Sequence, residues 1–407
     1  MSAGRRSPGD EKASSVSEAF ANWSGLVTSR PAEVLAVSNV AEIQSSLVVS
    51  RERRWTVRAA GTRHSHSDLL RADDGLVLLT DGLVGAPEVD RVAATTRLAA
   101  GCKLHDVGAA LWEAGLSFAN QGDVDVQSIA GLVGTGVHGT GPTLRNISDA
   151  VVAMTMVTAS GDVVTTDGDP EFLEAARLNL GALGVVVDVT FRLVPAYYLH
   201  ERTWVEPLAA LMERIDALTK STRHFEFFWY PVTDKAYAKA LQPHPGPADP
   251  MPGVEHEYVD RAYVVFPSVR NDKHTEMEYS VPAEEGPACF LRIRQLMRTE
   301  FPEVKWPAEY RTVAADNTWI SPARGRPTVT ISVHQGVGLP YVEFFAACER
   351  VFRQHYGRPH WGKYHTLTAP ELAAQHPDTW DRFWDVEARV DPEGRFLNQH
   401  LREISGR

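Results

Sequence analysis

Six glycines fall between positions 122 and 141 (Gly122, Gly131, Gly134, Gly136, Gly139 and Gly141), set among small residues with no helical periodicity. A backbone this bare can approach a flat ring or a diphosphate without Cβ clashes, and its successive amides can form an anion-binding concavity. The alternative is a tight turn between packed backbones. The pattern is not the dinucleotide fingerprint, because no helical run follows it, and it lacks the Gly-Lys-Ser/Thr of a phosphate-binding loop. Some seventy residues earlier, Gly61-Thr62-Arg63-His64-Ser65-His66-Ser67 follows the strand-like run 55–60. There a glycine turn presents an imidazole, His64, between small hydroxyls. A single histidine after a turn is usually a solvated or core imidazole, and the second glycine-rich loop is what raises this one above that reading.

Fifty-two acidic against 41 basic residues give a net charge of −11, which disfavours nucleic acid and anionic membranes as partners. Cys102, Cys289 and Cys348 have neither disulfide-framework nor zinc-ligand spacing, so no metal site is expected and a reducing cytoplasm is the simplest compartment. Residues 1–18 are expected to be a disordered tail. Arg5-Arg6 has no apolar core after it, which argues against export, and no run of about 18 apolar residues predicts a membrane span. At 407 residues the chain is expected to hold two or three domains.

Residues 31–37, 55–60 and 76–79 read as strands, with a helix from Val40 capped by Asn39 and Glu42. Strand and helix then repeat at 95–100 and 103–115. A hairpin is predicted from 151–158 and 163–166, a helix over 170–180 stopped by Gly181, and a strand over 185–193. Beyond residue 200, 224–230 and 261–266 read as strands of an antiparallel sheet, 242–254 as a loop, and 284–299 and 341–355 as helices. Glu309 and Arg311, two apart in a strand, share one face, where an acid and a guanidinium can hold a polyhydroxylated substrate and stabilise negative charge. A salt bridge on a solvated face is the plainer reading. His334 ends an alternating strand and could join that face. Arg358-Pro359-His360-Trp361-Gly362-Lys363 packs a rigid turn, an aromatic and a cation, although a lysine there could equally be a surface charge.

These pieces, with Asn120-Gln121-Gly122-Asp123, Ser128-Ile129-Ala130-Gly131, Leu183-Gly184-Val185 and Glu276-Met277-Glu278-Tyr279, resemble the vanillyl-alcohol-oxidase superfamily of flavoproteins. Within it they are similar to the sugar-1,4-lactone oxidases and dehydrogenases and to alditol oxidase. The resemblance implies an α+β fold. A two-part FAD-binding domain of the PCMH type would span 19–198, a cap with a large antiparallel sheet flanked by helices 199–356, and a segment returning to the first domain 357–407. It implies FAD contacts from Ala60, Gly61, Thr62, Arg63, Ser65, Ser128, Gly131, Thr135, Gly136, His138, Gly139, Gly184, Val186, His360 and Lys363, with His64 as covalent anchor and His66 as the lesser candidate. Glu309, Arg311, His334, Lys363 and Ser128 would bind and activate a substrate CH–OH. Its proton would leave to His334 or Lys363, its hydride to flavin N5, and oxygen or another acceptor would reoxidise the flavin. Thr62-Arg63 resembles the alditol enzymes and the C-terminal third the lactone enzymes, so lactone and polyol both stand as substrates. A tailoring oxidase acting on the sugar part of a secondary metabolite is the first alternative, and a non-catalytic sugar-binding protein the remote one.

Overall fold

The computed structural model describes residues 19–246, 256–268 and 270–407. The expected tail 1–18 and most of the expected loop 242–254 lie outside them, and the strand Lys235–His244 covers the start of that loop.

The first unit is a three-stranded parallel sheet in the order Glu33–Ala36, Leu76–Leu79, Val57–Ala60. The helix Val40–Arg53 carries the chain from Glu33–Ala36 to Val57–Ala60, leaving the place between them for Leu76–Leu79. Asn39 caps that helix by accepting from the Glu42 amide at 3.0 Å, while the Glu42 carboxylate turns to the Ser38 amide at 2.7 Å. The capping therefore spreads over two residues rather than closing a reciprocal box. A five-stranded antiparallel sheet follows, ordered Val163–Thr165, Val151–Val157, Val185–Arg192, Thr95–Ala99, Glu88–Asp90. The helix Leu104–Glu113 buries Leu104, Val107 and Leu111 beside it.

The largest element is an eight-stranded sheet with every pair antiparallel. Its central strands are His224–Tyr230, Ala308–Val313, Thr328–Gly336 and His274–Pro282. Alternate residues of His224–Tyr230 (Phe225, Phe227, Trp229) bury one face against Phe290 and Tyr310. The other face carries His224 and Glu226, with Glu309, Arg311, Glu276, Glu278 and His334 from neighbouring strands. The chain then returns to its start: Arg358–Pro359 forms an edge strand, the His66 amide donates to the Gly362 carbonyl at 2.6 Å, and the Val57 amide to that of Arg395 at 2.8 Å.

Three expectations need correction. The glycine-rich segment contains a short helix, Ile129–Gly134, because Ile129, Leu132 and Val133 are all buried on one side of it. The stretch 261–266 is not a strand: Arg261 ends one, and Ala262–Val265 makes a helical turn that buries Ala262, Val265 and Phe266 against Leu199 and Leu241. The helix from Pro170 stops at Ala176, four residues early, and Leu180 turns left-handed at φ 54° before Gly181.

Candidate active site

One cavity of about 660 Å³ lies between the glycine turns and the polar face of the large sheet. Gly61, Thr62, Arg63, His64, Ser65, Ser128, Gly131, Thr135, His138, Gly184, Val186, Glu309, Arg311, His334, His360 and Lys363 all line it. Ala60, Gly136 and Gly139 do not. Ala60 packs with Phe20 and Val77, a Cβ on Gly136 would meet Leu178, and one on Gly139 would meet the Gln121 carbonyl. These two glycines serve backbone packing, the plainer reading of the segment.

Gly61 has a different reason to be bare. A Cβ there would stand 2.1 Å from Ser128 Oγ, so the two turns can meet only at a glycine. Arg63 sits at φ 64°, and Thr62 Oγ1 donates to the Val126 carbonyl at 2.7 Å, pinning one turn to the other. Among the described residues, the Thr62, His64 and Ser65 amides donate to no protein acceptor. Unpaired amides on a bare turn suit the phosphates of a dinucleotide. His64 stacks on Trp23 with centroids 5.0 Å apart, and burial reinforced by Lys363 pushes its pKa down to about 4, leaving the ring neutral. His66 is buried as well, and its Nδ1 has no partner.

The opposite wall is a lattice of charges set by strand register. Glu309 pairs with Ser332, and Ser332 with Glu278. Glu278, 1% exposed, accepts from Arg311 Nη2 at 2.6 Å and Ser332 Oγ at 2.7 Å, with His138 Nε2 at 3.0 Å. Burial opposes its ionisation, yet His138 and Arg311 hold its carboxyl well below the usual range. Glu276 stands opposite His334 and is paired with Lys363; against burial, Lys363 and His334 hold it low too. The His334 Nδ1–H donates to the Pro307 carbonyl at 2.9 Å, so its lone pair is on Nε2, 3.7 Å from Glu276 Oε1. Burial brings that ring to about 4. Glu309 Oε1 and Arg311 Nε are buried without partners, which is how a wall built for a polar ligand appears on its own.

Sequence reading takes in Glu276, Glu278 and Asp123 only inside matching segments, with no role, and passes over Arg270 and Trp23; all five line the cavity. The available signal was two acids alternating with apolar residues in Thr275-Glu276-Met277-Glu278-Tyr279, a pattern that buries charge inside a sheet.

Fold and cavity together define a flavoprotein oxidoreductase: an FAD-binding α/β part under an antiparallel sheet whose polar face closes the site. The FAD-binding domain family matches residues 31–167, and the D-arabinono-1,4-lactone oxidase family matches 189–254 and 250–404. The chain belongs to the D-arabinono-1,4-lactone oxidase family, and it is an FAD-dependent enzyme oxidising sugar-derived substrates. It is 34% identical to the L-gulono-1,4-lactone dehydrogenase of Mycobacterium tuberculosis, over 96% of this chain and 100% of that protein. To the alditol oxidase of a Streptomyces species it is 29% identical, over 96% and 99%. Among solved structures, cholesterol oxidase from B. sterolicum shares the fold with a TM-score of 0.81 at 16% identity, covering 95% of this chain and 96% of that one. No helix among the described residues is long and apolar enough to cross a membrane.

Proposed function

We propose that the substrate is an aldono-1,4-lactone or a polyol, oxidised at a CH–OH group, with FAD tethered through His64. When bound, FAD would be held by the turn at Gly61–Ser65 and by Ser128, Gly131 and Thr135, and would supply the two-electron acceptor of the oxidation. The observation that carries the reading is the Glu309–Arg311 wall, where Glu309 Oε1 and Arg311 Nε are buried without partners, lining one cavity with the bare turn of His64. Arg311 and Glu309 bind substrate oxygens, with Ser128 on the facing wall of the same cavity. His334, neutral, lining the cavity and with its lone pair on Nε2, takes the hydroxyl proton, and Glu276, 3.7 Å from Nε2, stabilises the imidazolium that results. Lys363 stays paired to Glu276 and adds positive charge on the cofactor side. Residues 19–198 are read as the part that holds FAD, 199–356 as the part that covers the substrate, and 357–407 as the return.

The test is anaerobic reduction of the purified flavoprotein by aldonolactones, alditols and free sugars, followed by admission of air. Bleaching by a lactone or alditol and recovery with oxygen or an added acceptor is expected; a flavin that none of them bleaches sinks the reading. For the tether, flavin in the wild type is expected to stay with acid-precipitated protein. His64→Ala is expected to release it while still binding FAD, and to lose at least about tenfold in turnover. Retention of flavin by that variant would move the anchor to His66.

A further inference from the structure

Asp123, Glu226 and Glu309 each place a carboxylate oxygen within 4.8 Å of the others. Glu309 lines the main cavity, Glu226 lines a second, water-sized one of about 10 Å³, and Asp123 lines both. Register explains the placement. Glu226 stands opposite Arg311 on one neighbouring strand and Lys239 on the other, and Phe228 stands opposite Glu309, so the two glutamates are diagonal neighbours on one face.

The cations around them are largely committed elsewhere. Arg270 is fixed on Asp123, with Nε at 2.8 Å, and lies over the Phe228 ring. Lys239 Nζ donates to the Phe266 carbonyl at 3.3 Å and stands 3.5 Å from Glu201 and 3.9 Å from both Asp123 and Glu226. Arg311 is 2.6 Å from Glu278 but 3.2 Å from Glu309. Glu276 and His334 close the remaining side of Glu309, each with an atom within 4.8 Å of it. Two buried carboxyls this close cannot both ionise readily, so one of them keeps its proton. Burial raises Glu309 to about 8 against the pull of Arg311 and Arg270, with Glu226 and Asp123 pushing the same way as burial. Burial raises Glu226 too, against Lys239.

We propose that Glu226 is a positioning residue that keeps Glu309 protonated, so that Glu309 offers an O–H donor to the substrate and favours an acceptor-only oxygen, the ester carbonyl of a lactone. This rests on the reading of the cavity as the substrate site. A polyol hydroxyl can donate to an ionised Glu309 or accept from a neutral one, whereas a lactone carbonyl can only accept. Ionising Glu309 therefore weakens lactones and spares polyols.

The test uses FAD-loaded protein and γ-butyrolactone, which has the carbonyl but no hydroxyl to oxidise. Binding is followed by flavin difference absorbance, and protons by an indicator dye in weak buffer. In the wild type, affinity is expected to hold to near pH 8 and then fall by about tenfold per pH unit, with no proton taken up at pH 7 and about one at pH 9. In Glu226→Gln the fall should begin at least about one pH unit lower. A wild-type affinity flat to pH 9, no proton uptake at any pH, or an unshifted profile in the variant would each overturn the inference. The proton measurement needs only the wild type, so a variant that fails to fold does not remove the test. If γ-butyrolactone fails to bind while xylitol bleaches the flavin, lactone selection is wrong and alcohol oxidation stands. If neither lactones nor alditols bleach it but γ-butyrolactone binding titrates as described, the protonated Glu309 stands and the oxidation reading falls.

Discussion

Glu309 sits where an acid is uncomfortable, 3% exposed with one oxygen unpartnered. In the unfolded chain its carboxyl releases a proton near pH 4.5, whereas in the folded protein it keeps one until about 8. Its contribution to stability is therefore fully present below pH 4.5 and is lost as pH rises toward 8, a change on the order of 2–4 kcal/mol after allowing for coupling to its neighbours. Glu309→Gln removes the titration and keeps the shape. It is expected to raise the melting temperature by a few degrees at pH 8, leave it nearly unchanged at pH 4, and lower turnover by about a hundredfold or more. Differential scanning calorimetry at the two pH values decides this: equal destabilisation at both would mean that the carboxyl stabilises the fold through contacts that do not depend on its protonation. Such a residue trades folding stability for a site that meets its substrate already desolvated.

At the scale of elements, the strand His274–Pro282 is the one that ties the two walls together. Its Glu278 holds Arg311 on the sheet and His138 on the glycine-rich turn with a single carboxylate. Glu278→Gln keeps the volume but removes the charge from between those two groups. Breaking a buried pair costs about 3–5 kcal/mol, and the variant is expected to unfold at markedly lower urea and lose substrate affinity more than FAD content. Unchanged substrate affinity with normal FAD would show that Arg311 does not need this anchor. The same strand shows what the sequence could and could not convey. The strands of the first sheet, the hairpin of 151–158 with 163–166 and the strands bearing Glu309 and His334 follow from apolar runs, alternation and turn chemistry, which are local, whereas the parallel pairing of the first sheet is not. The helical turn Ala262–Val265 was hidden because a short apolar run suits a strand or a helix equally, and only its packing on Leu199 and Leu241 decides. Asp123 and Arg270 were hidden for a similar reason: they are 147 positions apart in the chain, and their pairing across the cavity rim exists only once the fold brings two loops together. His64, Glu309, Arg311 and Lys363 were legible because each stands in a short segment whose turn or strand fixes its direction.

Across the whole molecule, the closing of the chain on itself rests on a buried arginine. Arg58, 2% exposed, donates to the carbonyls of Leu69, Leu180, Gly181 and Phe396, joining the first sheet, the turn after the Pro170 helix and the C-terminal return. Burial lowers its pKa to about 10, and the four carbonyls take the place of a counter-ion. Arg58→Met would leave those carbonyls unpaired, and a loss of about 3 kcal/mol or more in unfolding free energy is expected from urea titration. A second whole-molecule property comes from the histidines. Burial brings His64, His334 and His360 to about 4 and His224 to about 3, while an unfolded histidine titrates near 6.5. Between those limits the unfolded chain binds protons that the folded one refuses. The stability these neutral rings contribute is full above pH 6.5 and is lost as pH falls toward 4, each ring adding about 1.4 kcal/mol per pH unit to the slope. Glu276 and Glu278 add nothing in this window, because their held-down carboxyls begin to lose stability only below the ordinary glutamate range, whereas Glu309, which keeps its proton to about 8, gives the opposite slope and offsets about one ring. The urea midpoint is therefore expected to drop steeply from pH 6.5 to 4.5, with at least about two protons taken up per molecule on unfolding at pH 5.5. A midpoint that stays level until pH 4.5 would mean that the buried rings are already charged in the folded protein, and His334 could then not serve as the proton acceptor.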